Sequence, residues 1–237
     1  LNNANSKLLL NSITLDSAST SSDSLGLDID TNSTVTSLSV GHITPVSIAA
    51  GKSLSGAVTV TAGSLKLNET GTLDSTIAMS GGTLDSDESS TVSGALSHTA
   101  DITIDVANNK TLTYSGAAIS LGANTITLSG GGSLVSGGLT LNDADSKLLL
   151  NSITLDNATT SANSLGIDVD ADSTITSLSV GHITPVSIAS GKSLSGAITV
   201  TAGSLKLNEA GTLASTIAMG GGTLDADQTS TISGTLT

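Results

Sequence analysis

Short runs of alternating aliphatic and polar residues recur along the chain, separated by small turn residues. Leu27-Asp28-Ile29, Val46-Ser47-Ile48, Leu65-Lys66-Leu67 and Ile104-Asp105-Val106 are such runs. Alternation over three or four residues predicts a strand with one buried face, and no window carries the i, i+3, i+4 stripe of a helix. The intervening segments, such as Thr31-Asn32-Ser33, Ala50-Gly51-Lys52, Asn109-Lys110 and Gly130-Gly131-Gly132, are turn chemistry.

The runs belong to a long repeat. Leu8–Asp16 reads LLLNSITLD, and so does Leu148–Asp156, at an offset of 140. Residues 1–97 align with 141–237 without a gap, identical at 75 of 97 positions. In apolar patches the differences are aliphatic swaps: Leu27/Ile167, Ile29/Val169, Val35/Ile175, Val58/Ile198 and Val92/Ile232. Elsewhere they exchange small or polar residues. A chain compared with itself in this way marks the aliphatic positions as core. The organisation is a first repeat over 1–140 and a second, partial copy over 141–237, continuous with it.

A shorter period lies inside the 140. Anchoring on Leu10, Val35, Leu54, Leu73, Val92, Leu112, Leu134, Leu150, Ile175, Leu194, Leu213 and Ile232 gives twelve coils averaging about 20 residues. Six residues before each anchor stand Ala4, Ile29, Ile48, Leu67, Ser86, Val106, Leu128, Ala144, Val169, Ile188, Leu207 and Ala226, all apolar but Ser86. Short strands at a constant coil length predict an all-β fold, a parallel β-solenoid of about 12 coils whose aliphatic side chains stack inward. The absence of Phe and Trp agrees with narrow, repeating layers that a large ring would overpack. Asp16–Ser24 and its copy Asp156–Ser164 read as polar loops projecting from the solenoid.

Composition removes several functions. Seven Lys, no Arg and 20 acidic residues give a net charge of −13, which leaves no electrostatic footprint for nucleic acid. No Cys is present for a disulfide framework or a thiolate site, and no apolar run is long enough for a membrane span. Leu1–Lys7 has none of the regions of a signal peptide, so a targeting segment is expected to be missing from this chain. His42 and His182 are equivalent turn residues and His98 stands alone, none beside a nucleophile motif. Gly51-Lys52-Ser53 has Val46 where a phosphate loop needs its first Gly, and no helix follows. No catalytic or cofactor-binding residue is assigned, and an enzyme is not expected.

Two surface patterns suggest chemistry. Asp28/Asp30, Asp85/Asp87, Asp143/Asp145, Asp168/Asp170 and Asp225/Asp227 flank the inward column and should point outward. Asp143, Asp145, Asp168 and Asp170 fall on successive coils and are expected to cluster as a Ca²⁺ site, with Asp172 as a further oxygen source. Lys66 and Lys206 should pair with Asp85 and Asp225. Thr34, Ser53, Thr72, Thr91, Thr111, Ser133, Thr174, Ser193, Thr212 and Thr231, each just before an anchor, form a hydroxyl column. Ordered Thr rows occur on ice-binding solenoids, which makes ice binding a distant alternative.

Gly63–Asp74 (GSLKLNETGTLD) and Ala123–Leu134 (ANTITLSGGGSL) resemble the repeats of large bacterial surface and secreted proteins, including autotransporter passengers and filamentous adhesins. The resemblance spans the chain but is compositional and periodic. It implies a right-handed parallel β-helix, in line with the general handedness of parallel crossovers. It also implies an extracellular or cell-surface location, bacterial origin and a scaffolding or adhesive role. The expected function is a non-enzymatic structural segment of a secreted fibre, extracellular matrix or surface filament; the alternative is the stalk of a cell-surface adhesin. Neither end carries a polar helix, a Pro-rich stop or a charged edge. The expected partners are therefore further copies of the repeat, end to end, together with cell-surface or matrix components.

Overall fold

A computed structural model describes residues 1–237. It contains strands and no helix, and every strand pairing is parallel within two kinds of sheet. The chain forms two units, Leu1–Ala117 and Ala118–Thr237. They part between Ala117 and Ala118, whereas the sequence repeat restarts at Leu141. The boundary between the two copies thus lies inside the second unit.

The first unit holds β1 (Lys7–Leu10), β2 (Thr14–Thr20), β3 (Gly26–Ile29), β4 (Ser33–Val40), β5 (Thr44–Ile48), β6 (Ser53–Val60), β7 (Ser64–Leu67), β8 (Thr72–Met79), β9 (Thr83–Ser86), β10 (Ser90–Val92), β11 (Leu96–His98), β12 (Ile102–Val106) and β13 (Thr111–Tyr114). Its first sheet runs β1-β3-β5-β7-β9-β12, and its second runs β2-β4-β6-β8-β10-β13 with β11 beside β8. The chain therefore alternates between the sheets, with one strand in each per coil except that β10 and β11 both pair with the long β8 in the second sheet.

The second unit repeats this plan. It comprises β14 (Ile119–Ser120), β15 (Thr125–Ser129), β16 (Ser133–Val135), β17 (Leu139–Leu141), β18 (Lys147–Asn151), β19 (Thr154–Thr160), β20 (Gly166–Val169), β21 (Ser173–Val180), β22 (Ile183–Ile188), β23 (Ser193–Val200), β24 (Ser204–Leu207), β25 (Thr212–Met219), β26 (Thr223–Ala226) and β27 (Thr231–Ile232). β15-β18-β20-β22-β24-β26 form one sheet and β16-β19-β21-β23-β25-β27 the other, with β17 between β14 and β19. Counted as complete turns, the solenoid has about eleven, of about 20 residues each.

The alternation predicted from sequence sets the faces. In β8, Leu73, Ser75, Ile77 and Met79 are buried while Asp74, Thr76 and Ala78 are exposed. Burying a Leu or Ile side chain contributes about 1.5–3 kcal/mol, and each coil buries several. Ser86, the polar member of the inward column, is fully buried; its Oγ donates to the Glu88 carbonyl at 2.8 Å. That local bond satisfies the hydroxyl, and the second copy carries Ala226 instead.

Several anchors shift. Leu10 and Leu150 belong to the first sheet, opposite Ile29 and Val169. The second-sheet partners of Val35 and Ile175 are Leu15 and Leu155. Ala4 and Ala144 consequently leave the inward column and are exposed. Val35 lies opposite Gly56 and Leu54 opposite Ser33, and Leu112 pairs with Ser90 while Val92 pairs with Tyr114. These slips are of two residues, so each side chain keeps its face. Asp16–Ser24 and Asp156–Ser164 are not free loops. Thr14–Thr20 and Thr154–Thr160 are strands in which Ala18 and Ala158 lie opposite Leu38 and Leu178. Small inward residues, Ala and Thr, hide this alternation in the sequence.

The slip at β4/β6 has a local cause. The register shifts between Val35 and Ser37, and again between Ile175 and Ser177. Opposite the shift stand Gly56 and Gly196, with φ of 125° and 124°. A β-carbon there would lie 1.8 Å from the Val35 carbonyl oxygen, or 1.7 Å from that of Ile175. Only glycine allows this approach at that backbone angle.

Candidate functional site

The four carboxylates expected to form a cation site are placed apart by the corrected register. Ala144 is exposed, so Asp143 and Asp145 do not flank an inward residue; they lie in the turn before β18. There, Asp143 Oδ1 accepts from the Asp145 amide at 3.0 Å, and the Asp143 amide donates to Ser146 Oγ at 2.9 Å. Asp168 sits on β20 with Leu149 and Ser187 as its lateral neighbours, and it pairs with Lys147. Asp170 follows β20 and is exposed, its amide donating to the Leu150 carbonyl at 3.0 Å. Asp172 Oδ1 accepts from the Ser193 amide at 2.8 Å and its hydroxyl at 3.0 Å. No three His, Asp or Glu side chains come together in a metal-binding arrangement.

The outward face of the first sheet carries ion pairs at the positions expected. Lys66 Nζ lies 2.7 Å from Asp85 and 3.2 Å from Asp87, and its copy Lys206 lies 3.4 Å from Asp225 and 3.7 Å from Asp227. Lys7 pairs with Asp28 at 2.5 Å. The two partners of the Lys66 pair respond differently. Partial burial pushes the Asp85 carboxyl up; Lys66 opposes this, and the neighbouring Asp87 and Asp105 add to it. Lys66 is held above the usual lysine value, first by its hydrogen bond to Asp85, with burial working against it.

A polar groove occurs at the same place in both copies. In the second unit it has a volume of about 200 Å³ and is lined by Ser152, Thr154, Ser173, Thr174, Ser193 and Ser195, with Asp172 at its edge. In the first unit the equivalent groove is about 230 Å³, with Asn32 in place of the aspartate. The backbone shapes both: Ser12 and Ser152 enter the strand in the left-handed region, at φ of 55° and 59°. The hydroxyls bond mainly to one another and to the main chain. Thr174 Oγ1 and Ser195 Oγ are 2.7 Å apart, Thr34 Oγ1 and Ser55 Oγ 2.8 Å, and Ser173 Oγ donates to the Ala171 carbonyl at 2.9 Å.

The expected hydroxyl column is divided by the bulge. Thr34 lies beside Ser55, not Ser53, while Ser53 continues to Thr72 and Thr91. Further outward rows lie three to six residues along the strands and were not apparent from spacing. Ser17-Ser37-Ala57-Thr76 and Ser19-Ser39-Thr59-Ala78 are two; Thr140-Thr159-Ser179-Thr199 is their counterpart in the second unit. Their signal was alternation within the strands, once the register is known.

His42 Nδ1 lies 3.9 Å from Asp23 in a turn, and its copy His182 has Asn163 in place of the acid. His98 Nδ1 lies 3.2 Å from the Ala100 carbonyl oxygen. Comparison with protein-family models, curated proteins and solved structures gives no match.

Proposed function

We propose that this chain is a structural, non-enzymatic segment of a secreted repetitive fibre, extracellular matrix or surface filament. One observation carries the reading: two copies 140 residues apart keep the same internal bonds. Thr44 Oγ1 donates to the buried Thr20 Oγ1 at 3.1 Å, and Thr184 Oγ1 donates to Thr160 Oγ1 at 3.0 Å. Ser75 and Ser215, both buried, donate to the Leu54 and Leu194 carbonyls at 3.1 and 3.2 Å. A unit whose neighbours are other such units supports extension by addition of copies. The partners of this function are further copies, end to end, and its setting is extracellular and bacterial, as the repeat resemblance implies.

Chains of one, two and three copies test it. Seven coils at the inter-strand spacing add about 34 Å per copy. Solution scattering should show the longest dimension growing by that step, and a constant dimension would refute the reading. The adhesin-stalk alternative is separated by sedimentation of the purified chain: fibres assemble with concentration, whereas a stalk stays monomeric.

A further inference from the structure

The joint between successive copies is visible inside the second unit, and its other half is presented at β1. There, β15 covers β18: Ile126 lies opposite Leu148, Thr127 opposite Leu149 and Leu128 opposite Leu150. The Lys147 amide donates to the Asn124 carbonyl at 3.1 Å, and the Thr154 amide to that of Gly132 at 3.0 Å. Asp156 is held by the Ser136-Gly137 loop: its Oδ2 accepts from the Ser136 and Gly137 amides, each at 3.1 Å, and its Oδ1 from Ser136 Oγ at 3.2 Å. Three donors from one turn on one carboxylate make a specific charge-assisted latch. Beneath it Ile153 is 3% exposed and Leu148 fully buried.

The same surface in the first copy is more exposed. Leu9 is 58% exposed where its copy Leu149 is half-buried, Ile13 is 49% exposed where Ile153 is buried, and Asp16 faces solvent where Asp156 is half-buried. Their copies show what fits there. We propose that the β1 edge, with Leu9, Ile13 and Asp16, is a docking surface for the coil that ends a 140-residue copy, one with the sequence of residues 118–141. That coil binds in the register of β15 on β18, and its Ser-Gly loop captures Asp16. This rests on the reading of the chain as a unit of a repeating array.

The experiment extends the chain by placing residues 98–140 ahead of Leu1, with a scrambled extension of the same composition as control. Amide exchange is followed at Lys7 and Thr14, whose copies Lys147 and Thr154 make the joint's backbone bonds. The extension should slow Lys7 and Thr14 by at least about tenfold, toward the rates of Lys147 and Thr154; the scrambled one should not. Asp16→Ala should lower the melting temperature of the extended chain more than that of the original. Unchanged exchange, equal protection by the scrambled extension, or an equal Asp16→Ala effect in both chains overturns the joint. If Lys147 and Thr154 stay slow in that case, the array reading survives; if they exchange as fast as Lys7 and Thr14 in the original chain, it falls too.

Discussion

Gly56→Ala tests whether the bulge between β4 and β6 is built on a close backbone approach. Two costs combine. Gly56 has φ of 125°, a region that an L residue occupies at about 1–3 kcal/mol. The new methyl would also meet the Val35 carbonyl oxygen at 1.8 Å and its carbon at 2.7 Å. Both are backbone atoms, so the strands must separate, and a buried carbonyl that loses its partner adds about 1–3 kcal/mol. The expected loss is about 2–6 kcal/mol. Gly51→Ala isolates the first term, because Gly51 has φ of 70° and nothing within 4 Å of its added carbon; it should cost about 1–2 kcal/mol. Urea unfolding of both variants, with amide exchange over Ser53–Val60, measures the difference. A repeat protein unfolds in parts, so the local exchange is the decisive readout. If Gly56→Ala and Gly51→Ala agree within about 0.5 kcal/mol, the contact explanation of the bulge is wrong.

Leu54→Asp places a carboxylate at a position 1% exposed and should cost more than about 4 kcal/mol, melting the neighbouring coils first. Ser37→Asp, on the exposed side of β4, should stay within about 0.5 kcal/mol in the same thermal melts. The raised Asp85 pKa makes the native state hold its proton longer than the unfolded chain does. That contribution is most favourable at low pH and is lost as pH rises from the ordinary carboxylate value through the raised one. Asp85→Asn should therefore gain on the parent chain as pH rises from the ordinary carboxylate value, with Asp87 still facing Lys66; a relative loss over that rise in paired melting curves would contradict the burial argument. Calorimetric titration should give no binding heat with millimolar Ca²⁺, since Asp168 is engaged by Lys147 and the four carboxylates are not convergent. Saturable heat abolished by Asp168→Asn would restore the cation site.

The fold was legible because its signal is written many times over. Each coil repeats an aliphatic-x-aliphatic run, so a misplaced anchor in one coil is outvoted by the others. A slip of two residues also leaves the inward face unchanged. Leu54, Leu73 and Val92 are accordingly buried although Val35 and Leu112 were aligned two positions off. The candidate cation site had no such protection. It required Ala4 and Ala144 to occupy the inward column, and both share their coil with a stronger claimant. Leu10 and Leu150, six residues on, bury a larger apolar surface and take the place. Asp143 and Asp145 go with Ala144 into the turn. Periodicity therefore determines which face a residue takes more securely than which neighbour it meets. Surface chemistry depends on the neighbour. The bulge shows why spacing alone could not supply it: one glycine opposite Val35 changes every lateral contact of the hydroxyls beyond it, while leaving the count of residues per coil almost untouched. The groove at Ser33, Thr34 and Ser55 and its copy at Ser173, Thr174 and Ser195 arise at that bulge, where the repeat departs from its own average.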